Sequence, residues 1–161
     1  MYAYFFFIFD SMKKEETVDY AVKTLWHGIY RMYNQRASQH GFTTSIGYVL
    51  LYINPKEGTQ ATKIAPSIGL ESRSLTRMLK SMEEKGLITR KPDDHDKRSV
   101  RIHLTELGRE KRELSRETVL LFNHAIREKI PEDKLDVFFE VVSQINNLIE
   151  DDVIEKNPIL K

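Results

Sequence analysis

Apolar residues recur at Val18, Val22, Leu25, Ile29 and Tyr33, a three-and-four spacing that predicts a helix from about Lys14 to Gln39, with Gly41 as its stop. The stretch FTTSIGYVLLYIN opens on a Thr pair able to cap and then turns almost wholly apolar. A second, largely buried helix is predicted there to about Ile53, broken by NPKEG. Thr59 is placed to cap a short helix with Ile64 and Ile68 inward and Ala65 between them, ended by Gly69. Pro66 falls inside that helix, removing one hydrogen bond and tending to kink or shorten it. From Ser72 to Lys85 the apolar set is Leu75, Met78, Leu79 and Met82, while the opposite face carries Arg73, Thr76, Arg77 and Lys80. Two short helices joined by a tight Gly-containing turn, the second basic on its outer face, describe a helix-turn-helix. Glu71 stands where a Ser, Thr or Asp cap is commoner, so Ser72 is the alternative cap.

After Gly86 the pattern changes to alternation. LITRK (Leu87–Lys91) and VRIHL (Val100–Leu104) are predicted strands, and PDDHDKRS between them has the Pro and Asp residues of a turn. A hairpin directly after a basic helix is a wing. Thr105 is placed to cap a long helix to about Lys129 with Leu107, Leu114, Leu121, Phe122 and Ala125 on its apolar side. Pro131 opens a last helix to about Asp152, striped by Leu135, Phe138, Val142, Ile145 and Ile149. The fold class expected is mainly α (α+β), a winged helix-turn-helix between long N- and C-terminal helices.

Charge sharpens this picture. The 161 residues carry 25 Lys+Arg against 24 Asp+Glu, but from Thr59 to Leu104 there are ten against six, +4 net, leaving −3 for the rest. A basic middle between acidic flanks points to a polyanionic partner. No cysteine is present, so disulfides, thiolate metal sites and thiol redox sensing are excluded for this chain. The run YAYFFFIF (Tyr2 to Phe9) falls well short of the roughly 20 residues needed to span a bilayer and has no signal-peptide flanks. Three readings stay open for it: an arm on a partner chain, a surface anchor, or sequence upstream of the native start. Residues 1–12 are therefore set apart as an N-terminal extension.

The segment DKRSVRIHLTELG fits the pattern D-x-R-x5-L-T-x-x-G, and MEEKGLI precedes it after the helix-turn-helix. In these motifs and in element order, residues 14–152 resemble the MarR (multiple antibiotic resistance regulator) family. The resemblance implies a homodimeric, cytoplasmic transcription regulator, most simply a repressor, gripping a pseudo-palindromic operator in double-stranded DNA. Residues 13–40 and 106–152 would form the helical dimerisation region and 41–105 the DNA-binding domain, with 153–161 as a tail. Arg73 and Arg77, one turn apart, would reach guanine edges or phosphates, and Ser72, Ser74, Thr76 and Lys80 would contact bases or backbone. Arg98 would enter the minor groove, Lys97 would meet phosphate, and Asp96 would hold the Arg98 guanidinium in a fork.

The family often binds small aromatic or acyl effectors where the dimer helices meet the winged lobe. Trp26, His27, Tyr30, Tyr33, Tyr48 and Tyr52 are the candidates here, although aromatics at helical spacing also serve as core. No cofactor and no metal is expected: the His residues are scattered, and DDHD has the character of a solvated turn. Neither a phosphate loop nor a nucleophile elbow is present, so an enzyme is not expected. Two alternatives remain, a winged-helix module that binds protein and a ligand-insensitive DNA-binding protein of the same fold. A cationic, polar outer face on Ser72–Lys80 favours DNA.

Overall fold

The computed structural model describes residues 13–93, 96, 98–152 and 155–156. After a single 3-10 turn (Lys14–Glu16), the elements run α1 (Val18–Ser38), α2 (Thr44–Tyr52), β1 (Thr59–Gln60), α3 (Ala61–Ser67), α4 (Ser72–Glu84), β2 (Ile88–Pro92), β3 (Val100–Leu104), α5 (Glu106–Lys129) and α6 (Glu132–Glu150). Two compact units emerge, residues 28–121 and the described parts of 1–27 with 122–161. Their boundaries fall inside α1 and α5.

The 28–121 unit holds the main core. Thr43 accepts a hydrogen bond from the Ile46 N–H and so caps α2, which contributes Ile46, Val49 and Leu50. Leu75, Leu79 and Met82 of α4 meet Ile64 and Ala65 of α3 and Ile88, Ile102 and Leu104 of the sheet, all buried. Gly69 and Gly86, at φ +65° and +68°, follow α3 and α4 in the left-handed conformation that ends a helix without a Cβ penalty. Pro66 sits near the end of α3, and that helix is only seven residues long.

Three assignments change. Thr59 does not cap α3; it lies in β1, opposite Ile102, and its hydroxyl accepts from the Asn54 N–H and donates to the Tyr52 carbonyl. The sheet therefore has three antiparallel strands in the order β1-β3-β2. Glu71 is the N-cap residue of α4, with extended backbone and no side-chain cap bond, so Ser72 is already the first helical residue. Pro131 is the N-cap of α6 and lies just outside it.

In the other unit the apolar stripes are largely uncovered. Val18, Val22 and Leu25 of α1 are about half exposed, as are Phe138 and Phe139 of α6, and Ile149 is 68% exposed. The buried stripe expected from Val18 to Tyr33 is buried only toward Tyr33, because among the described residues nothing covers its start. Among the described residues no helix is long and apolar enough to cross a membrane. The extension 1–12 and most of the tail 153–161 lie outside the described residues.

Candidate nucleic-acid interface

Recognition chemistry begins with the two faces of α4. Leu75, Leu79 and Met82 anchor it in the core, which turns Ser72, Arg73, Ser74, Thr76, Arg77 and Lys80 to solvent. Among the described residues neither Arg73 nor Arg77 is in an ion pair, so both guanidinium forks face outward unneutralised. Lys80 lies 3.9 Å from Glu84, an exposed pair of little energetic weight. The Thr76 hydroxyl donates to the Ser72 carbonyl at 2.8 Å, leaving it chiefly an acceptor toward a ligand.

The hairpin that follows is paired from Ile88–Leu104 at its root to Pro92–Val100 near its tip, with one further bond from the Asp93 N–H to the Ser99 carbonyl. Arg98 is exposed on the turn. Asp96 acts differently from the expectation. One carboxylate oxygen accepts the Arg98 backbone N–H at 3.0 Å and the other the Ser99 hydroxyl at 2.7 Å. Asp96 therefore shapes the turn carrying Arg98 and does not fork its guanidinium, because two residues along a tight turn the nearest donor is the amide. Lys97, and with it Asp94 and His95, lies outside the described residues. Among the described residues no His/Cys/Asp/Glu group could hold a metal.

The L-T-x-x-G part of the motif has a physical explanation at the hairpin root. The Thr105 hydroxyl accepts the Gly108 N–H at 3.0 Å, capping α5, and donates to the Gly86 carbonyl at 2.6 Å. The Thr105 N–H in turn donates to the Leu87 carbonyl at 3.1 Å. A Cβ on Gly108 would overlap that same carbonyl, so only glycine lets the start of α5 close onto the start of the hairpin.

Within the same unit a cleft of about 360 Å³, counting its open mouth, lies among α1, α2 and α5. Tyr33 and Tyr48 line it, edge to face with ring centres 6.4 Å apart. Burial pushes the Tyr33 phenol up to about 12, with Tyr48 adding to the rise, and burial likewise raises Tyr48. Arg36 and His40 also line the cleft, as do Phe42 and Ser115. Thr44, 4% exposed, is also a lining residue, and its buried hydroxyl has no hydrogen-bond partner among the described residues. Of the other aromatic candidates, Tyr30 is 3.1 Å from the Ser45 hydroxyl and Tyr52 is half exposed, neither among the lining residues. Trp26 and His27 belong to the other compact unit, where both are exposed. Arg36 and His40 went unnoticed in the sequence, although they continue the Tyr33 face at one-turn intervals.

A profile of the MarR family matches residues 48–100. An organic hydroperoxide resistance transcriptional regulator of Bacillus subtilis (strain 168) is 35% identical over 100 residues, which span 62% of this chain and 68% of that protein. The fold is similar to that of the transcriptional repressor CouR bound to a 23-mer DNA duplex, with a TM-score of 0.69, 24% identity, and 84% of this chain and 99% of that one covered. CouR from Rhodococcus jostii RHA1 bound to p-coumaroyl-CoA gives a TM-score of 0.70 at 20% identity, covering 84% and 95%.

Proposed function

The chain belongs to the MarR family, and on that premise we propose that it is a homodimeric, sequence-specific DNA-binding transcription regulator, a cytoplasmic repressor that releases its operator when a small molecule enters the cleft. The observation carrying the proposal is the pairing of two exposed cationic elements in one folded unit: α4 with Arg73 and Arg77 outward, and the wing with Arg98 exposed at its turn. A helix of this kind fits the major groove, where each arginine can meet a guanine edge in bidentate fashion, while a hairpin arginine fits an adjacent narrow minor groove.

In this reading residues 41–105 grip DNA, while 13–40 and 106–152 join two chains. The half-exposed Val18, Val22, Leu25, Phe138 and Phe139 support the second role, since exposed apolar stripes on helices are what a partner copy covers. Two recognition helices about one DNA turn apart then read a pseudo-palindrome. The relatives are transcription regulators, and the residues here supply binding chemistry rather than an acid/base or nucleophilic centre.

The cleft suits an aromatic or acyl ligand with an anionic end. Tyr33, Tyr48 and Phe42 offer ring faces, Arg36 offers positive charge, and His40 adds an imidazole able to hydrogen-bond. Without cysteine, release cannot run through thiol oxidation. Ligand binding favours a spacing of the recognition helices that does not match the half-sites, which lowers DNA affinity by that difference in free energy.

Binding of the purified chain to DNA from its own upstream region, titrated against salt beside a random duplex of equal length, tests the proposal. Saturable binding at least a thousandfold tighter than to the random duplex, steeply weakened by salt, is expected. Equal, weak binding to both duplexes, repeated in a genome-wide selection of bound fragments, would overturn it.

A further inference from the structure

One buried charge in the winged unit is not accounted for by DNA contact or by the core. The Asp93 side chain is completely buried, and Arg101 Nε lies 2.7 Å from its Oδ2. Asp93 Oδ1 accepts the Asp96 N–H at 3.1 Å, and the Asp93 N–H bonds the Ser99 carbonyl at 3.0 Å. Arg101 extends in the other direction as well: its Nη1 donates to the carbonyls of Glu57 and Gly58, each at 3.3 Å.

The segment that Arg101 grips is itself preformed. Asn54 Oδ1 accepts the N–H groups of Lys56 and Glu57, and Thr59 accepts the Asn54 N–H. Gly58 lies at φ +69° with Ile102 O only 2.6 Å from where a Cβ would be, so this loop can sit against β3 only with glycine there. Arg109 also donates to the Pro55 carbonyl.

The hairpin needs such an anchor. Only Thr59 and Gln60 of β1 pair with β3, and Pro92, the last paired residue of β2, has no N–H to donate. Toward its tip, beyond the Gln60–Arg101 pair, the hairpin is a two-stranded ribbon, and such a ribbon twists and swings easily.

We propose that Asp93 and Arg101 form a clamp that ties the wing turn to the Asn54–Gly58 loop and so positions Arg98 for DNA, without either residue touching DNA. The proposal rests on the reading of Arg98 as a DNA contact. Asp93 serves both ends: one oxygen sets the start of the turn, and the other holds the arginine that reaches the loop. Loss of the clamp leaves Arg98 charged and exposed but spread over many positions, and ordering it on DNA then costs affinity. Electrostatics alone predicts the opposite, because replacing Asp93 by Asn removes a negative charge from a DNA-binding lobe and should tighten binding.

The test is a double-mutant cycle on operator binding by the full-length chain, with Asp93→Asn, Arg98→Ala and the pair, each at a temperature well below its own melting point. Arg101→Lys is the second variant, keeping the charge and losing the fork. The clamp predicts about tenfold weaker binding for Asp93→Asn alone, a smaller loss for Arg101→Lys, and less than a twofold effect of Asp93→Asn once Arg98 is already Ala. Tighter or unchanged binding in Asp93→Asn overturns the clamp, as does an equal loss in both backgrounds, which would mark general destabilisation. Wild-type affinity in Arg98→Ala would instead refute the wing reading, and the clamp with it.

Discussion

Thr105 offers the most direct test of how the wing is fixed to the helix behind it. Changing it to Ala removes two hydrogen bonds with one atom. Loss of a helix N-cap costs about 1 kcal/mol, within a range of about 0.5–2. The upper half of that range applies here, because the Gly108 N–H belongs to a buried residue whose Cα packs against the Leu87 carbonyl, with little room for water. The Gly86 carbonyl is at the surface, so water replaces the lost hydroxyl and the second bond adds only about 0.5 kcal/mol. The sum is about 2 kcal/mol, enough to shift the folding equilibrium by roughly 30-fold. Urea unfolding followed by circular dichroism reads this directly, at one fixed chain concentration since association is linked to folding. Thr105→Ser should lie within about 0.5 kcal/mol of wild type, and Thr105→Val should fall with Thr105→Ala, because the hydroxyl carries the effect and the methyl does not. A Val variant as stable as the Ser variant would refute the reasoning.

Gly108→Ala should cost about 3 kcal/mol or more, seen as a large drop in melting temperature, because the obstructing atom is a backbone carbonyl held by the Thr105 N–H. Tyr33 predicts an alkaline loss of stability. Its phenol is raised to about 12 in the fold, so its contribution is complete below pH 10 and disappears as pH rises through about 12; the urea midpoint of Tyr33→Phe should decline less over that window. Arg73→Ala and Arg77→Ala should each cost about 1–3 kcal/mol and relax preference at one base position per half-site, measured by selection from randomised operators. A uniform loss on all sequences would make them phosphate contacts.

Periodicity made the helices, the wing and the outward face of α4 legible, since Leu75, Leu79 and Met82 leave little freedom in how that helix is turned. Strand β1 was not legible because two residues carry no period, and Thr59 has the same local chemistry as a helix cap. The role of Asp96 was misjudged for a related reason: D-x-R records a spacing, while the turn geometry decides which nitrogen the carboxylate meets. Asp93, one more acid in an acidic run, could be singled out only once β3 placed Arg101 beside it. The cleft draws on three elements far apart in sequence, so an aromatic stripe led to Tyr33 and Tyr48 but not to Arg36, His40 or Ser115.

The half-bare apolar faces of α1 and α6 also bear on dosage. A regulator that must pair to work is second order in its own abundance. Wherever the chain's concentration lies below its dimer dissociation constant, halving that concentration cuts the paired form nearly fourfold. Growth without new synthesis, or weak expression, then relieves repression more sharply than it dilutes the protein. Fusing two chains through a flexible linker would flatten that response and leave every contact with DNA unchanged.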